Sequence, residues 1–147
     1  MTRPSASRQT VVAVAGLLWS LVGVAMWVMQ VTMSPDTLAA MPDAQRAVYA
    51  ATPAWINGVF GLAVCSGLLG CIGLLMRRGW AAPVLLVLQM AVLVQMAGAY
   101  LTTPAWDASG AGGLVLPALL ILIAFGLWRF AVRAGSGAPR AAGAALT

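Results

Sequence analysis

The chain has 147 residues, of which 62% are hydrophobic and 7% are charged, and its formal net charge is +5. A soluble domain contains roughly 25% charged residues, so this composition excludes a soluble fold and indicates an integral membrane protein. The positive charge comes from Arg residues scattered over loops and the tail, without a basic stripe, which argues against nucleic acid as a partner.

Four long apolar runs follow one another along the chain, at about residues 11–33, 54–76, 80–102 and 112–133. Each has the roughly 20 residues that a helix needs to cross a hydrocarbon core. The first run continues beyond the length of a signal-peptide core, so we expect a retained span. The prediction is an all-α, up-down four-helix bundle in the lipid bilayer over residues 1–133, with a disordered cytoplasmic tail at 134–147.

The charged residues divide between the two ends of these predicted spans. Asp36, Asp43, Arg46 and Asp107 fall at one end, and all the other Arg residues fall at the opposite end, namely Arg3, Arg8, Arg77, Arg78, Arg129, Arg133 and Arg140. Because Arg-rich loops stay in the cytoplasm, the sequence predicts an inner-membrane protein with both termini in the cytoplasm.

The segment between the first two spans carries two helix-start signals. Ser34-Pro35-Asp36 supplies an N-cap, a first-turn proline and an acid on the helix dipole, and Pro42-Asp43 repeats the signal. We therefore expect a short amphipathic outer helix over 35–51, either broken or in two pieces. Residues 104–113, after the third span, are rich in turn residues and are predicted to form a flexible outer loop.

Small residues line parts of the first two spans. Gly67 and Gly70 in the second span and Gly16, Ser20 and Gly23 in the first would let helix backbones approach closely. We expect these two spans to pack together. The same faces could instead join two protomers, so a homo-oligomer remains an alternative.

Residue types that carry enzyme chemistry are scarce. The chain has no His, Glu or Lys, and its Asp residues lie far apart in sequence. The prediction is a protein that is not an enzyme and has no cofactor and no metal site. Cys65 and Cys71 stand on different sides of a helix and cannot bridge to each other.

Uncharged polar and aromatic residues collect in the outer half of the spans. Asn57, Gln95, Tyr100 and Trp55 could recognise the hydroxyl groups of a small neutral solute, with Asp36 above them. The alternatives are hydrogen bonds between helices and, for Asp36, helix capping. The spans contain no ionisable residue at membrane depth, which argues against ion-coupled transport. Trp19 is the deepest indole and is expected to find its partner inside the bundle.

Several ordered motifs over about residues 13–133 resemble a family of small bacterial four-span proteins commonly labelled "sugar transporter". They are Leu18-Trp19 and residues 30–36 (QVTMSPD), 53–55 (PAW), 67–70 (GLLG) and 92–96 (VLVQM). Members of that family often carry Glu where this chain has Asp36. The resemblance implies passive transport of a small neutral solute such as a sugar. The alternative is a non-transporting structural or accessory membrane subunit.

Overall fold

The computed structural model describes residues 5–135, which form an all-α bundle. Four long helices are apolar enough to cross a membrane, and short helices connect them at one end. In chain order the elements are α1 (Ala6–Val31), α2 (Pro35–Ala39), α3 (Asp43–Ala51), α4 (Ala54–Leu75), α5 (Ala81–Thr102), α6 (Ala105–Ser109), a 3-10 turn (Ala111–Leu114) and α7 (Val115–Gly135). The predicted fold class is confirmed.

The two ends of the bundle differ in charge. We call the end formed by the start of α1, the α4–α5 turn and the end of α7 the arginine end, because it carries Arg8, Arg77, Arg78 and Arg133. The opposite end, formed by α2, α3 and α6, carries Asp36, Asp43 and Asp107 and is called the aspartate end.

Helices α1 and α7 both extend beyond their predicted apolar runs at the arginine end. Helix α1 begins at Ala6 because the Ser5 hydroxyl accepts a hydrogen bond from the Arg8 N–H at 3.4 Å and caps the first turn. Helix α7 continues to Gly135, into the segment predicted as a tail. The remainder of that predicted tail, 136–147, lies outside the described residues.

The connections at the aspartate end are helical. Ser34 caps α2 by accepting from the Thr37 N–H at 3.2 Å, and Pro42 precedes α3, so the outer segment forms two helices. The predicted flexible loop contains α6 and the 3-10 turn, separated by Gly110 at a φ of 55°. Glycine adopts this left-handed conformation without steric strain, and here it ends α6.

Helix α4 lies between α1 and α5, and α7 packs against α5. The small residues of α4 provide the close approach. A Cβ atom added at Gly70 would lie 2.5 Å from Leu85 of α5, and one at Gly67 would lie 2.9 Å from the Ser20 hydroxyl of α1. The glycine faces therefore pack within one chain, as van der Waals contact between helices requires in a membrane.

The half of the bundle toward the arginine end is filled by side chains from all four long helices. Leu85 and Cys71 are fully buried there, with 0% of their surface exposed. The cluster comprises Ala13, Cys71, Leu74, Ala81, Leu85, Leu127 and Ala131. A smaller cluster of Ala63, Ala91 and Val92 lies toward the other half.

Candidate functional site

Hydrogen bonds join α1, α3 and α4 around Asn57. The Gln30 side-chain amide donates to Asn57 Oδ1 at 2.7 Å, and the Trp27 indole N–H donates to the Asn57 carbonyl oxygen at 2.9 Å. The Tyr49 hydroxyl donates to the Gln30 carbonyl oxygen at 2.9 Å. We call Trp27, Gln30, Tyr49 and Asn57 the amide cluster. These three hydrogen bonds hold α3 and the ends of α1 and α4 together at the aspartate end.

The other predicted site residues make separate contacts. The Tyr100 hydroxyl donates to the Gly113 carbonyl oxygen at 2.9 Å, and its ring meets the ring of Trp106 edge-on at 6.4 Å. The Trp55 ring packs over Gly98 of α5. Gln95 is half-buried on α5.

Asp36 is exposed in the first turn of α2, where a carboxylate interacts favourably with the helix dipole. The contacts of Asn57 are with α1 and α3, whereas those of Trp55 and Tyr100 are with α5, α6 and the segment that follows α6. These contacts therefore divide the predicted binding residues between two sides of the bundle. A ligand role for the five residues stays a prediction.

Tryptophan positions on α1 differ from expectation. Trp19, expected to find a partner inside the bundle, has 39% of its surface exposed on the outside of the helix. Trp27 instead donates between the helices. A signal for this was present in the spacing of Gly16, Ser20, Gly23, Trp27 and Gln30, which repeats steps of four and three residues along a single face.

Gln89 is a buried amide near the middle of α5. Only 6% of its surface is exposed, and within the described part of the chain its side-chain oxygen has no hydrogen-bond partner. It stands between Leu85 of the larger core cluster and Val92 of the smaller one. An unpaired buried acceptor costs about 1–3 kcal/mol, so this group is a candidate contact for a molecule inside the bundle.

A cavity of about 260 Å³ opens at the arginine end. Its polar lining comes from Gln9, Arg77 and Arg78, and the Gln9 amide donates to the Leu74 carbonyl oxygen at 3.0 Å. The full lining is Ala6, Gln9, Leu74, Arg77, Arg78, Ala131, Ala134 and Gly135. Helices α1, α4 and α7 and the α4–α5 turn thus surround a small basic recess.

The turn beside this cavity has an unusual backbone. Arg78 N–H donates to the Gly73 carbonyl at 2.9 Å and Arg77 N–H to the Leu74 carbonyl at 3.1 Å, which is the pattern of a Schellman helix end. Arg77 occupies the left-handed position of that motif with a φ of 55°. This position is usually Gly, and a side chain there costs about 1–2 kcal/mol.

A second recess, about 400 Å³ in volume, lies on the outer surface between α4 and α5. Apolar residues line it, namely Val59, Leu62, Pro83, Leu86, Val87, Met90, Ala91 and Val94. Such a surface suits the acyl chains of the surrounding bilayer. Neither this recess nor the basic one is lined by any of the five predicted binding residues.

Comparison of the chain with protein-family models, with curated proteins and with solved structures gives no match. The four long helices, by their length and apolar composition, make this chain a multi-pass helical membrane protein.

Proposed function

We propose that this protein is a non-transporting subunit of the inner membrane, structural or accessory in role, with both termini in the cytoplasm. The observation that supports the role most directly is the filled interior toward the arginine end, where Leu74, Leu85 and Cys71 are buried between the four helices. Side chains at that level occupy the bundle axis, so a solute would have to displace them. A single four-helix bundle encloses little beyond its own side chains.

The amide cluster supports the same proposal. Asn57 was a candidate for binding hydroxyl groups, and its side-chain oxygen accepts a hydrogen bond from Gln30 at 2.7 Å. Polar groups that satisfy one another between helices act as structural links, because each would otherwise be unpaired in hydrocarbon. A solute that donated to Asn57 Oδ1 would compete with this bond.

Orientation follows from the distribution of charge. The arginine end is the cytoplasmic end in this proposal, because Arg-rich segments resist translocation and the acidic residues gather at the opposite end. The short helices α2, α3 and α6 then face the periplasm, where they offer a polar surface to a partner.

Uptake by reconstituted protein tests the proposed role. Proteoliposomes containing the purified chain should take up labelled glucose or glycerol no faster than empty vesicles. Saturable uptake above that background would overturn the proposal. A variant with Gly70→Leu serves as a control for leak, since its loosened packing should raise flux without saturation.

Passive transport of a small neutral solute is the second candidate, and Gln89 is the observation that favours it. Its unpaired oxygen, buried in the middle of α5, could accept a hydrogen bond from a hydroxyl group of a passing solute. The route would run between helices or between protomers, beside the filled axis. If the vesicles do show saturable uptake, Gln89→Met should abolish it, whereas Gln45→Met on exposed α3 should leave it unchanged.

A further inference from the structure

The basic cavity at the arginine end has no acidic side chain near it. Arg77 and Arg78 line it, and every Asp of the chain belongs to the aspartate end. Among residues 5–135 the single ion pair joins Arg46 and Asp43, at 2.8 Å, in helix α3. The two guanidinium groups at the cavity are therefore uncompensated by the described residues.

The helix ends at the cavity differ in sign. Ala6, in the first turn of the long helix α1, lines the wall and brings the positive end of that helix dipole to the recess. Helices α4 and α7 end beside the recess and bring carbonyl groups to it, of which the Leu74 carbonyl already accepts from the Gln9 amide and from the Arg77 N–H. The positive charge of the lining therefore comes from the guanidinium groups of Arg77 and Arg78.

The backbone of Arg77 gives an independent observation. The left-handed position favours glycine, and a glycine stands two residues further on, at Gly79. Exchanging Arg77 and Gly79 would remove the strain and leave the net charge of the turn unchanged. The need for positive charge on the cytoplasmic side therefore does not explain why Arg, and not Gly, stands at position 77. The order present keeps the Arg77 side chain on the cavity wall. Strained residues that line a recess are typical of binding sites.

We infer that this cavity binds a phosphate group through Arg77 and Arg78. Paired guanidinium groups bind phosphate oxygens by short, charge-assisted hydrogen bonds. The volume of about 260 Å³ is below the roughly 300–1,000 Å³ of sites for drug-sized molecules, and it suits a group the size of a head group. The phosphate belongs to an anionic phospholipid of the adjacent leaflet or to a soluble phosphate ester.

The variant that tests this site exchanges two residues, Arg77→Gly together with Gly79→Arg. Net charge and the length of the turn are unchanged, and a Cβ atom at Gly79 meets nothing within 4 Å, so the new side chain is accommodated. Glycine at 77 relieves the strained backbone, and the variant should melt at or above the temperature of the wild type. Loss of binding in a protein that melts in this way cannot be attributed to unfolding.

Binding is measured on the full chain in a neutral detergent, by native mass spectrometry and by thermal stability. The wild type should bind phosphatidylglycerol and be stabilised by it, with phosphatidylcholine having a smaller effect. The exchange variant should bind phosphatidylglycerol at least tenfold more weakly. Arg129 lies in the same half of α7 as the cavity-lining Ala131 but does not itself line the cavity. Arg129→Gln should therefore bind phosphatidylglycerol as the wild type does.

A third arm uses inorganic phosphate alone. Stabilisation by millimolar phosphate, with displacement of the lipid, assigns the site to a soluble phosphate ester, and binding of the lipid alone assigns it to a head group. The inference is overturned if the wild type binds neither probe, or if the exchange variant binds phosphatidylglycerol as tightly as the wild type. An equal loss in Arg129→Gln would also overturn it, since general charge attraction would then suffice.

Discussion

Gln30 donates a 2.7 Å hydrogen bond from its side-chain amide to the side-chain oxygen of Asn57, and this bond links the first and second spans at the aspartate end. The Trp27 indole bonds the backbone of the same residue, so α4 is held at one level by both a side chain and a main-chain group of Asn57. A hydrogen bond between side chains of two helices fixes how those helices pack against each other.

A double-mutant cycle measures this link. Gln30→Ala and Asn57→Ala should each destabilise the bundle, and the double variant should lose less than the sum, with a coupling free energy of about 0.6–1.7 kcal/mol, as found for interhelical hydrogen bonds. The measurement is reversible unfolding in mixed micelles. Gln45→Ala, on the exposed face of α3, is the control and should show no coupling to Asn57. Zero coupling between Gln30 and Asn57 would leave Asn57 available as a ligand-binding group.

How much of this molecule the sequence could predict depends on the kind of feature. Hydropathy locates the four spans because length and apolar content alone decide whether a helix can cross the bilayer. Cap chemistry locates α2, since the Ser34 side chain caps it and Pro35 lies in its first turn, and Pro42 directly precedes α3. Both kinds of signal are local in the chain.

Helix rotation is the feature that hydropathy could not supply. The faces of α1 and α4 are apolar nearly all round, so nothing in their composition distinguishes the side toward lipid from the side toward a neighbour. Trp19 was expected inside the bundle and lies outside, while Trp27 makes the interhelical bond. The spacing of small residues carries this information, because close approach requires glycine or serine at each crossing point.

The α4–α5 turn shows a second limit. The order Arg77-Arg78-Gly79 suggests that Gly79 holds the left-handed conformation, yet Arg77 adopts it. Which residue takes that position depends on where α4 ends, and the apolar run of α4 does not fix its last turn to within one residue. The basic cavity depends on this detail and was therefore missed.

Gly70 and Gly58 on α4 form a matched pair for testing the packing. A Cβ atom at Gly70 would lie 2.5 Å from Leu85, whereas one at Gly58 would meet nothing within 4 Å. Gly70→Leu should destabilise the protein by about 1–3 kcal/mol, as overpacked cores do, and Gly58→Leu should have little effect. Thermal aggregation in detergent compares them. Equal melting of both variants would show that the Gly70 face tolerates bulk and does not contact α5.

Arg77→Gly should stabilise the chain. Relief of the left-handed strain is worth about 1–2 kcal/mol, less about 0.4–1 kcal/mol for the greater entropy of glycine in the unfolded chain. Arg78→Gly removes the same charge at a residue without positive φ and should not stabilise. Melting of the two single variants in the same detergent gives the comparison, and a stability gain shared by both would trace the effect to charge.

Reporter fusions test the orientation. Fusions after Arg78 and after Gly135 should both score as cytoplasmic, and a fusion after Asp43 should score as periplasmic, because Arg-rich ends stay inside. The Arg78 and Asp43 sites lie at opposite ends of α4, so each serves as the control for the other. A periplasmic signal at Gly135 contradicts the proposed topology.

The buried oxygen of Gln89 distinguishes the two candidate functions through stability alone. If nothing bonds it, Gln89→Met keeps the shape of the side chain, removes an unpaired acceptor and should stabilise the bundle by about 1–3 kcal/mol. If water or a solute occupies the interior and donates to this oxygen, the same change removes a hydrogen bond and should destabilise. Gln95→Met, at a half-buried position on the same helix, controls for the general effect of losing an amide.

The measurement is unfolding in mixed micelles with and without added glycerol. If Gln89→Met is stabilised and glycerol does not change its stability, the result supports the non-transporting subunit. If Gln89→Met is destabilised and glycerol stabilises the wild type, the result supports a solute route beside Gln89.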